Sequence, residues 1–145
     1  MSETQEALVV IAGGHRCALP MERVAEVRLF AEATPVPGMP ASVRGVVERN
    51  GAPVHVVDTA LRLGTGASSE DRRACIIFFD NLTVCGTAAM LVDAVDRIIE
   101  RSAIDDAEPA LSRQFVAGMI RGTGETLPLI DIDRFFDLRR AETLS

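Results

Sequence analysis

The two histidines and three cysteines are the side chains here best suited to nucleophilic or metal chemistry. His15 stands two residues before Cys17, and on an extended strand such residues share a face. A thiol beside a base is the minimum for a cysteine nucleophile. No glycine-rich elbow or oxyanion loop follows Cys17, however, so Cys17 reads as a structural thiol. A cysteine-dependent hydrolase is the remote alternative. The same five residues show no C-x-x-C or H-x-x-x-H spacing, the pairs from which structural zinc draws its ligands. No metal and no cofactor are expected. Asp58 and Asp131 resemble a carboxylate pair, but each closes a strand-like run and precedes a short helical stretch. There an aspartate accepts orphan backbone N–H groups, so both read as helix caps. Gly13-Gly14 and the Gly118 to Gly124 stretch lead into no helix with a Lys-Ser/Thr pair, so neither cradles phosphate. Asp105-Asp106 with Glu108 reads as a solvated connector. No catalytic residue emerges.

The elements that hold these residues are short. Runs of four to seven apolar residues, rich in Val and Ile, are separated by Gly, Pro, Asn or charge. Leu8 to Ala12, Arg16 to Pro20, Glu26 to Phe30, Val43 to Glu48 and Pro53 to Asp58 form a first set. Ala74 to Phe79, Leu82 to Ala88, Val95 to Glu100, Phe115 to Ile120 and Thr126 to Asp131 form a second. All ten read as strands. Gly13-Gly14, Asn50-Gly51 and Asp80-Asn81 read as hairpin turns between them. Helical spacing is confined to Pro20–Ala25, Thr59–Leu63 and Ile132–Leu138. Residues 64–73 are polar and flexible in composition, which marks a linker. The expectation is an all-β chain with few short helices.

The two sets are copies of one another. Gly45-Val46-Val47, Gly51, Val54, Val56, Val57, Asp58 and Leu63 match Gly118-Met119-Ile120, Gly124, Leu127, Leu129, Ile130, Asp131 and Phe136 at a constant offset of 73 residues. Upstream, Leu19-Pro20-Met21-Glu22, Val24 and Val27 match Met90-Leu91-Val92-Asp93, Val95 and Ile98 at an offset of 71. Two five-stranded units of about 60 residues follow, each too small to bury a comfortable core alone. They should pack as two small barrels sharing one core, built on Leu19, Val24, Val57, Ile77, Val92, Val95 and Ile130. The first covers approximately 8–63 and the second 74–138, and exchange of strands or termini at the seam stays open.

Composition narrows the function. The chain has 145 residues and a net charge of −6, without the positive stripe that displaces phosphate counterions. Trp and Tyr are absent, which removes the usual base-stacking side chains. Nucleic acid is therefore not an expected partner. No apolar run reaches the ~18 residues of a membrane span, so direct membrane insertion is not expected either. The polar, acidic N-terminus does not read as a secretory signal, and three cysteines within apolar stretches suit reduced core thiols in a cytoplasm.

Three stretches carry a family resemblance. They are Cys17 to Val27, Thr34-Pro35-Val36-Pro37-Gly38, and Gly45-Val46-Val47 through Val54-His55-Val56-Val57-Asp58. The second half repeats the pattern in Leu91 to Val95, Phe115-Val116-Ala117-Gly118 and Leu129-Ile130-Asp131. Together they resemble the CheW family over residues 7–138. The resemblance implies two five-stranded SH3-like barrels in a single CheW-like domain. It also implies a non-enzymatic, cytoplasmic adaptor joining the regulatory domain of a CheA-type histidine kinase to the cytoplasmic tip of methyl-accepting chemoreceptors, recruited to membrane-associated arrays. The alternative is a divergent module that binds one of these partners in another motility or signalling pathway. Carried over by position, Val24, Glu26 and Val27 are candidates for the kinase side, with Val24 and Glu26, two apart, expected on one face of the strand. Gly45, Val46, Val47 and Gly51 are candidates for the receptor side, with Met39 expected exposed in the proline-rich loop before them. Gly45 and Gly51 equally suit backbone needs, namely close strand approach and positive φ. Where the family reads Asn-Leu-Arg-Gly, this chain reads Glu48-Arg49-Asn50-Gly51. Asn50 thus replaces the family arginine, and Arg49 and Asn50 complete the receptor-side candidates.

Overall fold

Strands rich in β-branched residues form wherever both faces can be buried, and here three separate apolar clusters bury them. The computed structural model describes residues 5–101, 104–105, 113–122 and 124–138. In chain order the elements are β1 (Glu6–Ala12), β2 (His15–Pro20), a 3-10 turn (Met21–Arg23), β3 (Val24–Leu29), β4 (Val43–Arg49), β5 (Ala52–Asp58) and α1 (Thr59–Leu63). There follow β6 (Cys75–Leu82), β7 (Gly86–Val92), β8 (Ala94–Glu100), β9 (Ile104–Asp105), β10 (Val116–Gly122), β11 (Glu125–Ile130) and α2 (Ile132–Phe136). The all-β class and nine of the ten expected strands are present; the run Leu82 to Ala88 instead spans the turn at residues 83–85, and β7 begins at Gly86. The short pair β9 is an addition, joined to β10 through Met119 and Ile120. The connector residues Asp106 and Glu108 lie outside the described residues.

The sheets cut across the halves of the chain. One runs β8-β1-β2-β11-β10-β9 and the other β3-β6-β7-β5-β4. Hairpin β1–β2 from the first repeat therefore completes the sheet of the second, and β6–β7 returns the exchange. Both insertions use the same device, a parallel contact: Ala18 beside Leu129 and Ala89 beside Val56. These pairs are related by the two offsets read from the sequence. So are the bulges after Val43 and Val116, and those after Val24 and Val95. The strand exchange at the seam is thus a complete reciprocal swap of the leading hairpins.

Core placement follows. Each barrel has its own small interior, Ala7-Val9-Ala18 and their neighbours in one, Ile76-Phe78-Ala89 in the other. The largest cluster lies between the barrels and contains Leu19, Val57, Ile77, Val92 and Ile130, with Val24 and Val95 packed against it. The seven expected core residues all belong to this shared core.

Three local expectations need correction. Asp80-Asn81 is not the β6–β7 turn: Asn81 adopts φ 58° as a bulge inside β6, and the turn comes at residues 83–85. An isolated left-handed Asn suits a bulge as well as a turn. Residues 64–73 are polar but pinned. Asp58 accepts from Ser68 N at 3.1 Å, Asp93 from Ser69 N at 2.8 Å, and Thr65 Oγ1 donates to Ala12 O at 3.1 Å. Cys17 and Cys75 are buried, whereas Cys85 is exposed in the β6–β7 turn. Apolar neighbours in sequence did not place it in a core.

Candidate functional site

The two repeated aspartates cap helices, as expected. Asp58 accepts from Leu61 N at 3.2 Å and Asp131 from Arg134 N at 3.1 Å. Neither reaches the other as an acid–base pair would. Cys17 is fully buried, and that desolvation pushes its thiol up to about 12. The thiolate is the reactive form, so this thiol is poorly placed as a nucleophile. His15 Nδ1 lies 3.2 Å from the Gly13 carbonyl oxygen, on an exposed turn. Alkylation of the native protein at pH 8 should therefore modify Cys85 and spare Cys17, read by peptide mass mapping. Rapid labelling of Cys17 would restore the thiol-enzyme reading. Among the described residues, no three His, Cys, Asp or Glu side chains gather as a metal site.

Charged side chains instead converge on the first barrel, where β3 and β4 are the free edges of one sheet. Glu26 Oε1 accepts from Arg49 Nε at 2.9 Å, and its Oε2 from Arg28 Nη2 at 3.2 Å. Arg49 Nη1 continues to Asp80 Oδ1 at 2.7 Å, which also accepts from Thr87 at 3.1 Å. Both guanidinium groups lie over the buried Phe78 ring, 4.7 and 4.9 Å from its centroid. A cation over an aromatic face is attracted by the ring quadrupole. Arg49, then Arg28, holds the Glu26 carboxyl below its usual range, and Arg49 does the same for Asp80. The ladder ties β3, β4, β6 and β7 together over the mouth of the barrel.

The candidates named from sequence fall on this barrel, with corrections. Val24 and Glu26 do not share a face. The bulge at Ala25 aligns Val24 with Phe79 and Glu26 with Phe78, which point to opposite sides of the sheet. Val24 packs against the shared core, while Val27 is 44% exposed and lies beside Leu29, exposed by 69%. Met39 is half-buried rather than exposed. Gly45 is buried, with φ 149° and the Thr34 backbone against it. Val46 and Val47 are half-buried on β4. Asn50 and Gly51 form the exposed two-residue turn, with φ 52° and 81°. Arg49 does not point with Asn50; it is committed to Glu26 and Asp80.

Sequence reasoning missed Arg28, Phe78, Asp80 and Leu29. The repeat carried a signal for the first. At an offset of 71, Arg28 occupies the place of Ile99, a charge where the copy is buried and apolar.

Two reciprocally completed barrels, with their polar groups knitting strands and apolar side chains left on edges, define a double-barrel interaction module. A family model for a CheW-like domain matches residues 6–139, and the chain belongs to the CheW-like family. It is 29% identical to the chemotaxis protein CheW of Rhizobium meliloti, over 95% of this chain and 91% of that one. To the probable chemotaxis protein CheW of Rhizobium etli it is 28% identical, with the same shares covered. Its fold matches the crystal structure of the scaffolding protein TtCheW from Thermoanaerobacter tengcongensis with a TM-score of 0.85, covering 98% of this chain and 94% of that one at 21% identity. The two packed barrels are thus the SH3-like pair expected. No helix among the described residues is long and apolar enough to cross a membrane.

Proposed function

We propose that the chain is a non-enzymatic cytoplasmic adaptor, joining the regulatory domain of a CheA-type histidine kinase to the cytoplasmic tip of methyl-accepting chemoreceptors. The single observation that carries this is the CheW-like match over residues 6–139. The kinase side is assigned to β3, through Val24, Glu26 and Val27. The receptor side is assigned to the strands and turn around Val46, Val47, Arg49, Asn50 and Gly51, with Met39 and Gly45 supporting the loop. The first barrel's free edges suit such contacts, since an interface needs an apolar centre with a polar rim. Co-purification of the chain with an isolated kinase regulatory domain and with a receptor tip tests the assignment. Binding to neither defeats it.

A second reading, that the chain serves one partner only, is favoured by the turn. Asn50 lacks the guanidinium of the family arginine, and the Arg49 guanidinium is engaged within the barrel. Receptor-tip binding should then be weaker than in a CheW with the arginine, and kinase binding kept. Asn50→Arg should strengthen tip binding by roughly 1 to 2 kcal/mol, less the cost of a positive φ at a side chain other than Asn or Gly. Titration of both variants against a tip from the same organism reads this directly. Equal affinities with an unchanged fold refute it.

A further inference from the structure

The two barrels differ in kind at one structurally equivalent place. In the second barrel Ile99 is buried, and its Cδ1 lies 2.9 Å from where a Cβ on Gly122 would stand. This side chain reaches from the edge strand β8 to the Gly122 end of β10. In the first barrel the equivalent residue is Arg28, which turns to Glu26 and to the Glu48 carbonyl at 3.1 Å. The gap between β3 and β4 is bridged in this way and by the Thr34–Val46 pair, but it is not filled. A cleft of about 470 Å³ remains, with the buried Ile76 at its base and Leu29 and Val47 among its walls. Glu32 and Glu48 stand exposed on its rim with no ion-pair partner among the described residues, whereas Arg28 is already neutralised by Glu26.

We propose that this cleft receives an extended segment of a protein partner carrying the side chain that the first barrel lacks. That side chain is a branched aliphatic residue with Lys or Arg within two positions of it. The second barrel supplies the template, since the buried Ile99 stands there where Arg28 stands here. The free edge of β3 on one side of the cleft favours an extended backbone. Two unpaired carboxylates at the rim, on a chain of net charge −6, favour a basic segment. The inference rests on the adaptor reading in that it supposes a protein partner.

The probe is the end-blocked peptide Arg-Ile-Arg-Ile-Arg, titrated into the isotope-labelled full chain by NMR. Saturable shifts should gather at Leu29, Val47 and Ile76. Arg-Asn-Arg-Asn-Arg, which keeps the charge, and Glu-Ile-Glu-Ile-Glu, which keeps the apolar residues, should each bind about tenfold more weakly or worse. Ala31→Trp fills the cleft from its exposed lip, and Glu32→Lys with Glu48→Lys reverses the rim. Both should weaken Arg-Ile-Arg-Ile-Arg to a similar degree while the melting temperature holds. Arg28→Ile, which copies the second barrel, should abolish binding. Shifts elsewhere on the surface, no saturation, or unchanged affinity in the Trp and double-Lys variants would overturn the proposal. Kinase-domain and receptor-tip binding are measured alongside. If those persist while the peptide fails, the cleft assignment falls and the adaptor reading stands; if only they fail, the reverse holds.

Discussion

Gly45→Ala is expected to destabilise the protein by about 3 kcal/mol or more, an outlying cost for a single methyl group. At φ 149° the backbone lies where side chains are strongly disfavoured, and a Cβ would collide with the Thr34 carbonyl, standing 2.7 Å from its carbon. That carbonyl cannot retreat freely. It accepts from Val46 N at 2.8 Å while Thr34 N donates to Val46 O at 2.9 Å, the bridge that pins the proline-rich loop to β4. Gly51→Ala provides the control. Its φ of 81° carries a similar backbone preference, but nothing lies within 4 Å of an added Cβ. It should cost only about 1 kcal/mol. Urea midpoints of the two variants compare collision plus strain with strain alone. Equal losses would show that Gly45 is not a packing requirement.

The second large effect lies at the joint between the repeats. Arg62 of α1 is fully buried, donating from Nε to Phe135 O at 2.9 Å and from Nη2 to Asp137 O at 2.7 Å. Its guanidinium lies 4.4 Å from the centre of the Phe115 ring. The terminal carbonyls of a short helix have no partners within the helix, and Arg62 satisfies them across the molecule. Arg62→Ala removes those donors and leaves a cavity, and should cost roughly 3 to 5 kcal/mol. Arg62→Met refills the volume without the donors and should recover part of the loss. Chemical denaturation of the three proteins tests the order wild type, Met, Ala. An Ala variant within about 0.5 kcal/mol of wild type would show that the clamp contributes little.

Strands, turns and caps were legible because their causes are local. Val and Ile runs, the Asn50-Gly51 turn and the aspartates before α1 and α2 each announce themselves within a few residues. Strand partners are not local. Nothing in the periodicity of β2 says that Ala18 will lie beside Leu129, and the hairpin exchange was therefore visible only as a need for the units to pack. Bulges were missed for a related reason. One extra residue at Ala25 turns Glu26 to the opposite face from Val24, and no composition signal marks it. The ion ladder escaped because arginine reaches across strands, so Arg49 meets Asp80 from 31 residues away. The repeat offered more than was taken from it. Arg28 opposite Ile99 and Arg62 opposite Phe135 are charges aligned with buried apolar residues, and each marks a place where the copies have diverged in role.

The adaptor account turns on one measurement. The intact chain is mixed with an isolated kinase regulatory domain and a receptor tip from the same organism, and the mixture is resolved by analytical ultracentrifugation. The account predicts that the kinase domain and the receptor tip sediment together only when the chain is present, with Glu26→Lys weakening the kinase arm while the fold is kept. Binding of one partner alone would support the single-partner reading. Sedimentation of all three as separate species at micromolar concentrations, where adaptor contacts of ordinary size hold, would contradict the account.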